Sequence, residues 1–318
     1  MTQPARAMRD AFIEALYDRM AENERIFFLA ADLGSPALDR LRADFPERFI
    51  NVGIAEQNLI NVATGLALEG GIVYAYAIAP FIAMRAYEQI RVNLSISSQV
   101  RPVNVNLIGV GGGVSYQVSG PTHHCLEDLA IMRLLPNMAV FSPSDWRLAA
   151  AFVDYTVSNC TPKYLRFDGK PIPAIYETVT PETLTAGFCE LVAGTEACIV
   201  STGFMTQRAL SAARSLGSVG VVDLFLLKPA NTGKLRQTLL KYRHIVTAEE
   251  GFVGNGGLDS LVAQLLNEDR RSVTLDHIGF NDRYVFELGT RDYLHARNGM
   301  DESAIMAAVT RRLGHGTP

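Results

Sequence analysis

Apolar positions recur at helical spacing in some stretches and at alternating spacing in others along almost the whole chain, which predicts an α/β fold. Arg9–Ala21 reads as an amphipathic helix with Phe12, Leu16 and Met20 on one side, and Ile26–Ala30 as a short buried strand. Glu56–Leu68 is an apolar helix stopped by Glu69-Gly70-Gly71. Strand patterns follow at Ile72–Ala79, Pro102–Val110, Met138–Phe141 and Tyr164–Phe167, with helical spacing over Phe81–Ser95 and Trp146–Val157. Asp168–Thr185, with Pro171, Pro173 and Pro181, has no period and reads as a linker. Beyond it, strands at Ala197–Ser201, Gly220–Leu224, Ile245–Ala248 and Val273–Ile278 alternate with helices at Thr206–Leu216, Lys234–Leu240, Leu258–Leu266 and Ser303–Leu313. Parallel neighbours need crossovers of this kind, so two domains with mainly parallel sheets flanked by helices are expected, over residues 1–180 (the linker starting near 168) and 186–318.

Composition narrows the possibilities. With 48% apolar and 19% charged residues, the 318-residue chain has ample core for two domains. A net charge of −4 without a basic block argues against nucleic acid. Apolar runs fall short of the roughly 20 residues that cross a membrane, and the first residues lack a secretory leader's apolar run. Cys125, Cys160, Cys189 and Cys198 show neither CxxC spacing nor a zinc pattern, so reduced, mostly buried thiols in a cytoplasmic protein are expected.

Chemistry concentrates at Asn51-Val52-Gly53-Ile54-Ala55-Glu56-Gln57-Asn58. A carboxylate opening an apolar helix can be a first-turn acid favoured by the helix dipole, worth about 0.3–1 kcal/mol. It can also be an acid in an apolar wall that exchanges a proton with a ligand nitrogen. The Gly-Ile-Ala-Glu-Gln string resembles the pyrimidine-binding half of thiamine-diphosphate enzymes, and the chain as a whole resembles the C-terminal half of transketolases. Further segments that carry the resemblance are Ala30-Ala31-Asp32-Leu33, the run from Ala79-Pro80-Phe81 to Gln89-Ile90, and Gly120-Pro121-Thr122-His123-His124. Leu227-Lys228-Pro229, Thr247-Ala248-Glu249-Glu250 and Gly254-Asn255-Gly256-Gly257 carry it through the second half.

The resemblance implies roles. Glu56 hydrogen-bonds the cofactor's pyrimidine nitrogen and so activates thiamine diphosphate. Phe81 stacks on the pyrimidine, Tyr87 walls the slot, and Met84 stands where transketolases often carry a second aromatic. Taken alone, the spacing of Phe81, Met84 and Tyr87 is that of core packing. His123 orients the substrate, with His124 assisting, and Asp32 lies near the cofactor or is a structural acid. Gly109-Val110-Gly111-Gly112-Gly113 lacks the Lys-Ser/Thr ending of a phosphate loop and reads as a mobile loop beside the site.

What is missing also counts. The resemblance implies a Gly-Asp-Gly motif that holds the metal of the cofactor diphosphate; none occurs, so no metal ligand is assigned here. A diphosphate needs a hard cation with oxygen ligands, so the resemblance implies that a separate diphosphate-binding partner chain, like the N-terminal part of transketolase, supplies most of the Mg²⁺ (or Ca²⁺) site in an α2β2 assembly. Ser119 replaces the acid that transketolases place before Gly-Pro-Thr-His, Gly111–Gly113 stands in place of a phosphate-gripping histidine, and a phosphate-contacting arginine is replaced near Asp168, with Arg166 close by as the alternative substrate contact. The sugar substrate is therefore expected to be unphosphorylated, or to have its phosphate held by the partner. The expected activity is transfer of a two-carbon ketol unit from a ketose to an aldehyde. Its rivals are the β chain of a 2-oxo acid dehydrogenase first component, a deoxyxylulose-phosphate-synthase-like carboligase, and a non-catalytic assembly subunit.

Overall fold

The computed structural model describes residues 4–267 and 273–314. Residues 1–3, in the stretch expected to lack a leader, and residues 315–318, at the end of the expected second domain, lie outside it, as do 268–272. The first half contains β1 (Ala5–Arg6), α1 (Met8–Glu22), β2 (Ile26–Ala30), α2 (Ala37–Asp44), β3 (Phe49–Asn51), α3 (Glu56–Leu68), β4 (Ile72–Ile78), β5 (Val105–Val110), β6 (Ala139–Phe141), β7 (Lys163–Phe167) and β8 (Ile172–Pro173). The second contains β9 (Phe188–Val192), β10 (Ala197–Ser201), β11 (Gly220–Leu224), β12 (Leu226–Lys228), β13 (His244–Phe252) and β14 (Thr274–Phe280).

Two principal sheets result, and each is parallel except for the pair at one edge. The larger runs β12-β6-β7-β5-β4-β2-β3 and the smaller β14-β13-β10-β11-β9. Only β12/β6 and β11/β9 are antiparallel within them. A strand covered on both faces can be apolar at every position, and β4 shows why. Val73, Ala75 and Ala77 join the core under α3, while Ile72, Tyr74 and Tyr76 join the opposite core under α1. The same two cores take Leu59, Ile60 and Ala63 from α3, and Phe12, Leu16 and Met20 from α1.

Several elements depart from the expectations above. The proline-rich stretch is not a bare linker: β8 pairs antiparallel with β1, and Pro181–Ala186 is a helix capped by Thr180. The 146–157 helix breaks into Trp146–Ala151 and Val153–Ser158 at Phe152, whose ring stacks on Phe141 at 3.6 Å. The stretch Phe81–Ser95 is mostly π-helical, over Phe81–Arg85 and again over Ile90–Ile96. Finally β12, which follows the linker in sequence, completes the first half's sheet by pairing with β6. Among the described residues no helix is long and apolar enough to cross a membrane.

The halves also meet at Asp223 on β11, which accepts hydrogen bonds from Ser144, Tyr176 (2.7 Å) and Thr206 (3.0 Å). Burial pushes its carboxyl up to about 7 against the pull of those hydroxyls. An acid that keeps its proton longer when folded loses relative stability as pH rises from its unfolded value, near 4, to its folded one. The Asp223→Asn variant is expected to remove part of this decline between pH 4 and 7, seen as a flatter dependence of the urea midpoint on pH.

Candidate active site

In open α/β sheets, ligands bind beyond the carboxyl ends of the strands. That edge here gathers Asp32 after β2, Asn51–Gly53 after β3, Phe81 after β4, and the glycines after β5. Gly53, at φ +74°, turns the chain from β3 into α3, so that Glu56 begins the helix. Its side chain is 3% exposed, and Oε2 accepts a 2.7 Å hydrogen bond from Nη1 of the half-exposed Arg85. The slot is thus not the purely apolar wall expected; it includes a cation.

Arg85 does more than pair with Glu56. Its guanidinium lies 4.8 Å from the centroid of the Phe81 ring, within range of a cation–π attraction. Phe81 in turn meets His123 edge to face, with centroids 5.2 Å apart. Glu56, Arg85, Phe81 and His123 therefore form one continuous chain of contacts. Phe81 and Arg85, four residues apart, begin and end one π-helical turn and so share a face, and turns of this kind recur at functional sites. Met84, 38% exposed, lies in the same turn. Beyond the break at Ala86, Tyr87 packs against the core and its hydroxyl donates to the Ile131 carbonyl at 2.9 Å, instead of joining the chain that leads from Glu56.

Asp32 is exposed and left-handed, at φ +52°. Its carboxylate accepts from the Asn51 amide at 3.0 Å, while the Asn51 side-chain oxygen accepts from the backbone N–H groups of Asp32 and Gly53. The pair braces the turn that presents Glu56. Nothing in the sequence around Asn51 signals this task.

The loop after β5 carries the remaining candidates. Ser119 is exposed near its tip. His123 is half-buried, with Nδ1 3.0 Å from the Thr122 hydroxyl. His124 is buried, and neither of its ring nitrogens has a hydrogen-bond partner among the described residues. Burial lowers its pKa, while the charge of Glu250 acts in the opposite sense. The glycines serve close packing: a Cβ at Gly112 would lie 2.7 Å from Nε of Arg166, and one at Gly113 would overlap the carboxylate of Glu250.

Arg166 departs from the role expected of it. It is buried, with Nε donating to Asp128 at 2.8 Å and Nη2 donating to the carbonyls of Cys125 and Glu250. Burial opposes its charge, but Asp128 and neighbouring groups raise its pKa overall. It ties the two halves together, with its side chain 5% exposed.

Comparison with known proteins identifies the family to which this fold belongs. The chain matches the transketolase pyrimidine-binding domain over residues 5–170 and the transketolase C-terminal domain over residues 189–305. It is 32% identical to one subunit of the apulose-4-phosphate transketolase of Actinobacillus succinogenes, over 83% of this chain and 84% of that one. It is 31% identical to a 6-deoxy-6-sulfo-D-fructose transketolase subunit of a Clostridium species, over 95% and 93%. A solved split-gene transketolase, an inactive β4 tetramer, superposes with a TM-score of 0.85 at 35% identity, covering 96% of this chain and 98% of that one.

Proposed function

Because the chain belongs to the transketolase family and carries its pyrimidine-binding and C-terminal domains, we propose that it is the pyrimidine-binding subunit of a two-component, thiamine-diphosphate-dependent transketolase. It moves a two-carbon ketol unit from a ketose to an aldehyde acceptor. The observation that carries this reading is the contact chain from buried Glu56 through Arg85 and Phe81 to His123.

These residues fit an aminopyrimidine. A buried carboxyl at a helix start can hydrogen-bond a ring nitrogen, and an aromatic ring beside it can stack on the heterocycle. Thiamine diphosphate, when bound, supplies the carbanion chemistry. Glu56 hydrogen-bonds the pyrimidine nitrogen, and Arg85 fixes the carboxyl through Oε2. Phe81 and the exposed Met84 offer the apolar surface. His123 hydrogen-bonds an oxygen of the bound sugar and orients it. Asp32 steadies the entrance to α3 through Asn51.

The diphosphate and its Mg²⁺ fall to a partner resembling the N-terminal part of transketolase, in an α2β2 heterotetramer in the cytoplasm. Support comes from the relatives that are themselves single subunits of a transketolase and from the relative that is inactive as a β4 tetramer. Those relatives act on ketoses with an anionic tail, a phosphate in one and a sulfonate in the other. With Arg166 buried between the halves, any grip on such a tail comes from other groups or from the partner.

Mixing the chain with its diphosphate-binding partner, thiamine diphosphate, Mg²⁺, a ketose and an aldehyde is expected to give ketol transfer that neither chain gives alone. Parallel assays of phosphorylated and unphosphorylated ketoses read out the tail. Turnover by the isolated chain would contradict the split, and CO₂ release from pyruvate would point to a carboligase instead.

A further inference from the structure

The His123 loop is held from the second half of the molecule as well as the first. At its base, Gly113 and Cys125 exchange two backbone hydrogen bonds of 2.9 and 2.8 Å. Nη2 of Arg166 donates at 2.8 Å both to the Cys125 carbonyl and to the carbonyl of Glu250 on β13. The carboxylate of Glu250 fills the space beside Gly113 that a side chain there would need. Glu250 is itself gripped by Arg291 through two nitrogens and by His295 at 2.7 Å, and Arg291 reaches back to Asp168 at 2.6 Å. Nearer the tip, the backbone N–H of Arg291 donates to Oε1 of Gln117 at 2.8 Å. Leu288 of the same segment flanks Gly120, where the turn bearing His123 begins.

Buried ion pairs are a poor way to gain stability, because desolvation offsets their attraction. Fixing one arrangement is a use they serve better, and here that arrangement is the base of the His123 loop. We propose that Gln117, Glu250 and Arg291 are positioning residues, through which the second half of the chain holds His123 in its working geometry. The inference rests on the reading of His123 as the group that orients the sugar. Orientation is worth a great deal in a bound complex, since a displacement near 1 Å at a reacting group can cost about a hundredfold.

Gln117 offers the cleanest test, because it is half-buried on a loop and its removal leaves the ion pairs intact. Gln117→Met deletes the acceptor at similar size, and Gln117→Glu keeps an oxygen there. In the two-subunit enzyme, Gln117→Met is expected to lower kcat/KM about three- to tenfold, the scale of one hydrogen bond, with the melting temperature and cofactor affinity unchanged. Gln117→Glu is expected to restore most of the loss. In a His123→Ala background, Gln117→Met should have no further effect, since both changes act through one group. Independently of activity, hydrogen exchange in the isolated chain should quicken over residues 114–124 in Gln117→Met. Unchanged exchange, or additive losses with His123→Ala, would overturn the proposal. A wild-type pair without any ketol transfer would instead overturn the functional reading while leaving the exchange result to decide the positioning claim.

Discussion

Replacing Glu56 by Ala is expected to lower kcat of the two-subunit enzyme by about two to four orders of magnitude, the usual size of a proton-transfer contribution. The fold should survive the change. Glu56 opens α3 without contributing a side-chain cap, and the Arg85 guanidinium released by the substitution is half exposed and can be solvated. Under the proposed division of the site, with the cofactor's charged end on the partner, cofactor should still associate. Glu56→Gln separates two ways in which the residue could act, since an amide can hydrogen-bond the pyrimidine but cannot exchange a proton with it. Steady-state turnover near wild type in Glu56→Gln would show that Glu56 only positions the ring.

The second large effect concerns stability. Arg291→Ala would leave Asp168 and Glu250 buried without their shared cation. Breaking a buried pair by removing one partner typically costs about 3–5 kcal/mol, to be read from urea unfolding of the isolated chain. The pH dependence supplies a second reading. Burial pushes the Glu250 carboxyl up, but the charge and hydrogen bonds of Arg291, with His295, hold it well below the usual carboxylate range. A carboxylate depressed in this way contributes stability above its unfolded pKa, near 4.5, and loses it as pH falls toward the folded value. Arg291→Ala should therefore blunt the loss of stability below pH 4.5, besides lowering stability at neutral pH.

The strand and helix periods lie open in the sequence, because central parallel strands such as β4 and β5 are apolar at nearly every position and α1 and α3 carry long regular stripes. Glu56 and His123 are legible because each sits within a string of distinctive neighbours. The contact between Glu56 and Arg85 is not, since it joins residues 29 positions apart. Tyr87 groups with Phe81 only if the helix is regular, and the break at Ala86 removes that condition. Arg166 reads in the sequence as a candidate ligand group, and its burial beside Asp128 emerges only from the packing. The helix α2 leaves little trace, because a short element with two buried leucines, Leu38 and Leu41, hardly establishes a period.

The pairing of β12 with β6 has a consequence for how this chain can be divided. Residues 226–228 lie well past the proline-rich stretch, yet they close one side of the first half's sheet. A gene cut near Gly187 would strip that cover from Ala139–Phe141 and leave raw backbone donors and acceptors inviting a stranger's strand. The two halves are stitched by a borrowed edge, so fission at that seam would yield fragments prone to clump, and recombination would have to pass them on as one cassette.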